Sequence, residues 1–316
     1  MPIPQSLTGG LRLPAIASPM FLTSGPDLVV ETCNSGVIGT FPSLNQRTTA
    51  GFVDWLTQIR ARLRPDAAAF GVNLVVHKSN TRLEADLEAV VAHKVPLVIT
   101  SLGAAPEVIS AVQSYGGLVF HDVISRRHAE KAAAAGVDGI IAVAAGAGGH
   151  AGAVSPFALV SEIRQVFGGT IVLGGAINTG AQIAAARVMG ADMAYLGTRF
   201  IATREATVPD AQKQMMLGAQ AADILYTSAI SGVLANFMRP SIIAVGLDPD
   251  NLPHHGKLDL NAEAKAWSTI WSAGQGVGGI ADLPAAADLC ARLMAEYRAA
   301  MQAAAHDPFA AGGPDV

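Results

Sequence analysis

Eight short apolar runs, rich in β-branched residues, alternate with stretches of helical spacing along the first 200 residues, and this alternation constrains the fold more than any other feature. The runs are Pro14–Ala17, Val37–Phe41, Ala69–Leu74, Leu97–Thr100, Leu118–Asp122, Gly139–Val143, Thr170–Leu173 and Met193–Leu196. They are apolar at odd and even positions alike, as parallel strands covered on both faces require. Between them the spacing predicts helices at Pro26–Asn34, Ala50–Leu63, Thr81–His93, Ala105–Tyr115, Arg126–Ala135, Pro156–Phe167 and Thr179–Met189. Pro106 and Pro156 fall near helix starts, where a missing N–H costs little. Gly36, Gly116, Gly136 and Gly190 fall just past helix ends, where a left-handed cap needs no Cβ. Right-handed crossovers leave two arrangements, a closed barrel or an open doubly wound sheet. Eight evenly spaced strands favour the α/β class as a (β/α)8 TIM barrel.

After Thr203 the texture changes. Residues 206–240 read as helical with no following strand, and Ser241–Val245 is a short apolar run. Leu247–Leu260 reads as loop, His254 and His255 included, and Glu263–Trp271 as a further helix. Leu283–Ala304 is long enough to supply the eighth barrel helix. The expected organisation is a barrel over 1–205 and 280–305, a smaller and mostly helical substrate domain over 206–279, and a flexible tail over 306–316.

Composition narrows the function classes. Hydrophobic residues make up 51% of the 316 and charged residues 15%, so a large core is within reach and disorder is excluded. The formal net charge of −4 provides no basic field for nucleic acid or an anionic membrane. Cys33 and Cys290 are too few for a disulfide framework or a cysteine-rich metal site. No uninterrupted apolar run approaches the ~18 residues of a membrane span. Met1–Gly10 has neither a basic nor an apolar leader region, so the expectation is a cytoplasmic protein in a reducing compartment.

In such a barrel the active site lies at the C-terminal ends of the strands. Those ends carry Ser18-Pro19-Met20, Thr40-Phe41, Asn73, Thr100-Ser101, Asp122, Gly146–Gly152, Gly174-Gly175 and Gly197-Thr198. The set is small and poorly charged. Asp122 and His150 alone do not suffice for a catalytic metal, so none is expected. Leu173-Gly174-Gly175-Ala176-Ile177-Asn178-Thr179-Gly180 leads into a helix, and Gly197-Thr198-Arg199-Phe200 follows the last strand. Two glycine-bearing turns at these positions, with a helix N-terminus beside them, suit a phosphate. The plainer reading is a tight turn capped by Asn178 or Thr179. The small strand ends leave room for a flat, mostly neutral ring attached to that phosphate.

Ala145-Gly146-Ala147-Gly148-Gly149-His150-Ala151-Gly152 is the second signal. A histidine among such small residues either faces the cavity as a proton-transfer group or bonds a neighbouring turn. Other patterns carry less. Gly274–Gly279 is glycine-rich but follows no strand, so it fails as a dinucleotide fingerprint and reads as a loop lining the site or joining domains. Arg126-Arg127-His128 reads as a solvated helix start. Asp122 reads as a partner of His150 or as a helix cap. Trp267 and Trp271 read as core, and Cys33 as a buried hydrophobe.

Taken together these residues resemble the FMN-dependent nitronate monooxygenases, whose relatives include quinone reductases and flavin-type enoyl-thioester reductases. The resemblance runs from about Leu11 to Met301. It is carried by Pro19-Met20, Phe70–Leu74, the Ala-Gly-Gly-His-Ala-Gly run at 147–152, Gly174–Ile177, Gly190-Ala191-Asp192, Gly197–Phe200 and Trp271–Gly274. It implies an FMN oxidoreductase that oxidises alkyl nitronates with O2 to carbonyl compounds and nitrite. By the same resemblance Pro19, Met20 and Asn73 touch the flavin ring or ribityl chain, and Gly148 and Gly149 border it. Gly174, Gly175, Gly197 and Thr198 hold the phosphate, Asp122 stands at the cofactor, and His150 is the catalytic residue over the flavin. Phe237, Met238, Trp267 and Trp271 would wall the substrate space. Two positions depart from the family. Ala17-Ser18-Pro19-Met20 replaces a glutamine-containing turn found in many members, and Asp122 stands where some reductases carry lysine. The alternatives are an NAD(P)H-dependent quinone or enoyl-thioester reductase on the same flavin, or a flavin-free phosphate-binding lyase or isomerase. The expected partners are a small-molecule substrate and O2, with no nucleic acid and no membrane.

Overall fold

The structure is a computed structural model that describes residues 3–103, 105–252, 268–307 and 309. Eight parallel strands close into a barrel: β1 Ala15–Ala17, β2 Ile38–Pro42, β3 Phe70–Val75, β4 Leu97–Ser101, β5 Leu118–Val123, β6 Gly139–Val143, β8 Thr170–Gly174 and β9 Met193–Leu196. β1 pairs with both β2 and β9, with Ile16 opposite Ile38 and Tyr195, and this closes the cylinder. A second sheet is built from β7 Gly149–His150, β10 Ile224–Thr227 and β11 Ala235–Met238, with β11 in the middle.

Strand alternation sorts the side chains. Ile16, Ile38, Leu97, Ile99, Phe120, Ile141, Val172 and Met193 fill the barrel lumen. Their neighbours Ala15, Ala17, Val72, Leu74, Val98, Val119, Ile140 and Leu173 pack outward against the helices. Both layers are buried, and each fully buried Leu, Ile or Phe contributes about 1.5–3 kcal/mol.

The helices start and stop where local chemistry directs. Pro26–Asn34 has proline in its first turn, and Thr48 caps Thr49–Arg62 by accepting from Gly51 N at 3.1 Å. Gly36, Gly116, Gly136 and Gly190 stop helices with φ between +85° and +103°. The helix Ala286–Ala305 packs on Gly180–Val188 and on Pro26–Asn34, so it completes the outer ring between the last and first barrel helices.

The excursion departs from the reading of 206–240 as helix. Besides the helices Asp210–Gly218 and Arg239–Ala244 it contributes β10 and β11. Asn236 and Met238 are buried where alternation gives no warning, because β11 is covered on both faces. His254, His255, most of the expected Glu263–Trp271 helix and Trp267 lie outside the described residues, as does most of the tail. Among the described residues no helix is long and apolar enough to cross a membrane.

Candidate active site

The same alternation that fills the lumen also builds the floor of a cavity. One step beyond the apolar layer, Ser18, Asn73, Ser101, Asp122, Val143, Gly174 and Tyr195 follow Ile16, Gly71, Ile99, Phe120, Ile141, Val172 and Met193 by two residues each. These upper positions line a cavity of about 1020 Å³ at the C-terminal mouth of the barrel. His150, Pro19, Met20, Asn73 and Asp122 lie on its wall, as do Gly148, Gly149, Gly174, Gly175, Gly197 and Thr198. The structure therefore brings every candidate site residue to one space.

The histidine is fixed by its backbone. His150 pairs with Ala235, and Gly149 with Asn236, so the glycine-rich run ends in an edge strand of the small sheet. Gly149 N donates to Ser272 Oγ at 2.7 Å, and that hydroxyl donates to Asn236 O at 2.6 Å. Asn236 Nδ2 donates to Ala147 O at 2.6 Å, and the Tyr226 hydroxyl to Ala151 O at 2.8 Å. Each of these bonds satisfies a backbone group that would otherwise be lost from water. Asn236 and Tyr226 carried no sequence signal, and Ser272 stood only within the Trp271–Gly274 run, with no role of its own. Their partners in the His150 loop lie 75 to 123 residues away along the chain, a distance over which sequence spacing carries no signal.

Glycine is required at two contacts. A Cβ on Gly148 would stand 2.9 Å from Gly274 N, so two backbones touch where the His150 loop meets the turn that follows Gly274. That turn, Gln275–Gly279, is a short 3-10 helix, and Gln275 N donates to Gly146 O at 2.9 Å. Gly175 has φ +146°, and a Cβ there would meet Ala145 O at 2.9 Å. The following Ala176 is left-handed at φ +54°, a conformation that costs a non-glycine residue about 1–2 kcal/mol. Such strain gathers in functional segments.

The helix after this turn is capped by the protein's own side chains. Thr179 caps Gly180–Val188, with Gln182 closing the capping box, and Gly180 N donates to Glu296 Oε2 at 2.7 Å. The positive end of that helix is therefore occupied by the protein's own carboxylate. The backbone facing the cavity belongs to Gly174–Ala176 and to Gly197-Thr198, where Thr198 Oγ1 accepts from Gly274 N at 2.8 Å.

Asp122 accepts a hydrogen bond from Ser101 Oγ at 2.5 Å, and Ser101 in turn accepts from Asn73 Nδ2 at 2.7 Å. The cap of the next helix is Ser125, so Asp122 is not a helix cap. Its Oδ1 is closed off from solvent with no hydrogen-bond partner. Burial pushes the carboxyl up to about 6 against the opposing pull of Ser101 and His150. Burial and the nearby Asp122 likewise raise the Tyr195 phenol. Ser101 was legible only through its register, two residues past Ile99 and beside Asp122.

The proposed walls divide. Trp271 lines the cavity and is half-buried, whereas Phe237 and Met238 are fully buried away from it. Cys33 is buried with its thiol pushed up to about 12 by burial, as an inert hydrophobe should be.

Comparison with known proteins places these features. A nitronate monooxygenase from Paraburkholderia phytofirmans is 27% identical, covering 93% of this chain and 94% of the relative. A Rhodococcus jostii protein, a (3aS,4S,5R,7aS)-5-hydroxy-7a-methyl-1-oxo-octahydro-1H-indene-4-carboxyl-CoA dehydrogenase, is 26% identical over 79% of this chain and 67% of its own. The fold matches a nitroalkane oxidase from Streptomyces ansochromogenes with a TM-score of 0.84 and 24% identity, over 95% of this chain and 100% of that one. It also matches FabK from Thermotoga maritima with a TM-score of 0.78 and 21% identity, over 94% and 96%. The nitronate monooxygenase family model matches residues 80–296, from the loop after β3 through the His150 run and both glycine turns to the C-terminal helix. With that match over more than two thirds of its length, the chain belongs to the nitronate monooxygenase family and is an oxidoreductase of that family.

Proposed function

We propose that the protein is an FMN-dependent monooxygenase that oxidises small alkyl nitronates with O2, giving a carbonyl compound and nitrite. The observation that carries this reading is the meeting, on one cavity, of a histidine locked in a braced edge strand with two turns of bare backbone. The residues present suit a flavin mononucleotide. Gly174, Gly175 and Gly197 line the cavity with bare backbone, which an anion can approach closely. The floor below is small and mostly uncharged, as a flat ring requires.

In this reading Gly174, Gly175, Gly197 and Thr198 hold the phosphate. Pro19, Met20, Asn73, Gly148 and Gly149 border the ring and ribityl chain. FMN, when bound, supplies the electron uptake and the transfer to O2. The protein supplies orientation and proton control. His150 holds the anionic substrate as a donor, or removes the proton from carbon of a neutral nitroalkane. Trp271 excludes water and limits substrate size.

Nitrite release during aerobic turnover of propyl nitronate by FMN-loaded protein tests the proposal. FMN-loaded protein that forms no nitrite would defeat it. The Rhodococcus relative, named as a dehydrogenase of a CoA thioester, favours a second reading in which a nicotinamide nucleotide reduces the same flavin and an unsaturated thioester or quinone reoxidises it. Anaerobic bleaching of the flavin's visible absorption by NADH, with no bleaching by nitronate, would select that reading.

A further inference from the structure

Asp122 is the carboxylate on the cavity floor, and the structure gives it little help in carrying a charge. It accepts a hydrogen bond from Ser101, and its second oxygen is buried with no hydrogen-bond partner. On either side along the sheet it faces uncharged groups, Ser101 from β4 and Ile141 and Val143 from β6. Tyr195 of β9 and His150 of β7 are the titratable groups that share its end of the cavity. Arg47 and Arg82 reach the same cavity from its wall. Arg82 is committed elsewhere, with both oxygens of Asp86 at 2.9 Å. The adjacent His121 points out of the lumen to Thr100, 2.7 Å away. A carboxylate in this setting, ionised, repels an incoming anion, and its burial strengthens that repulsion. Protonated, it is neutral and no longer repels the same anion.

We propose that Asp122 is a specificity-determining residue that sets the charge preference of the cavity: as a carboxylic acid it admits an anionic substrate, and as a carboxylate it excludes one. The proposal rests on the flavin-site reading above and adds to it a substrate class that changes with pH. The Asn73–Ser101–Asp122 chain of hydrogen bonds holds the carboxyl in place and tunes where the change occurs. Burial puts that change at about pH 6, so the anion-accepting form dominates on the acidic side. The balance involves a single proton, taken from solvent by Asp122 as the anion enters and returned as it leaves.

The probe is nitrate, planar and singly negative like a nitronate but not an electron donor. It is titrated into FMN-loaded protein and followed by the flavin difference spectrum between about pH 5 and 8. The expected Kd rises about tenfold for each pH unit above about 6. Asp122→Asn should remove that slope and bind nitrate about 10–100-fold more tightly at the alkaline end. Ser101→Ala deletes the donor that favours the carboxylate, so its slope should begin at higher pH. This second variant keeps the test available if Asp122→Asn does not fold. A slope unchanged in Asp122→Asn would place its origin in another group and overturn the proposal, as would a wild-type Kd that does not vary with pH. Protein that takes up no FMN would sink the flavin reading alone. Calorimetric titration of the same variants with nitrate then decides the Asp122 proposal independently.

Discussion

At the scale of single residues, the site separates groups that act from groups that hold. His150→Ala should leave FMN bound, because the backbone of the two glycine turns is untouched. Turnover should fall by about 10²–10⁴, the usual loss for a proton-transfer group. Steady-state kinetics on variant protein with a measured flavin content checks both halves, and full activity would remove His150 from the chemistry. Gly148→Ala tests a holding contact. The added methyl would meet Gly274 N at 2.9 Å, backbone against backbone, so neither side can yield cheaply. The expected loss is about 1–3 kcal/mol of stability with reduced flavin retention. It is read by denaturant melts and by the absorbance ratio of flavin to protein. His150 and the glycines were legible in the sequence, because small residues around one histidine are a local pattern. Ser101, Ala176 and Ser272 stood in the strand ends and motif runs, but their roles did not show. A serine or alanine at a strand end or turn has no local signature, and its role comes from what the closed barrel places beside it.

At the scale of elements, the eight barrel strands and the helices between them were legible to within two or three residues. Their signal is composition and length, and parallel strands buried on both faces provide plenty of both. β7, β10 and β11 were missed for the opposite reason. They have two to four residues, and β11 reads Ala-Asn-Phe-Met, which has little intrinsic strand preference. Pairing across the molecule, not propensity, makes them strands. The start of the helix after Thr179 carries a contact that spacing does not announce, since Glu296 of a distant helix reaches Gly180. The element-level prediction concerns the brace. Ser272→Ala strips Gly149 N–H of its acceptor and Asn236 O of a donor. It should cost about 1–3 kcal/mol and lower kcat while leaving flavin content unchanged. Loss of flavin instead of kcat would show that the brace serves the cofactor and not the histidine.

At the scale of the whole molecule, two buried groups on β5 give stability opposing dependences on pH. His121 is buried, and burial lowers it from 6.5 to about 4 in the folded protein. Below pH 6.5 the unfolded chain takes a proton that the folded chain refuses, so this group costs stability as pH falls from 6.5 towards 4. Asp122 does the reverse. Folded, it keeps its proton up to about pH 6, whereas the unfolded chain loses it near 3.8, so its contribution declines as pH rises through the same window. His121→Asn should therefore flatten the acid-side loss, and Asp122→Asn should steepen it. Urea melts at several pH values across that window check both signs, and parallel curves for all three proteins would refute the assignment.

The pairing of His150 with Ala235 has a practical consequence for anyone wishing to move this imidazole into another scaffold. A transplant of the glycine-rich run alone would carry its letters but not its aim, because the aiming is done by a ribbon encoded far downstream. A working chimaera must import both stretches together, along with the serine that rivets them.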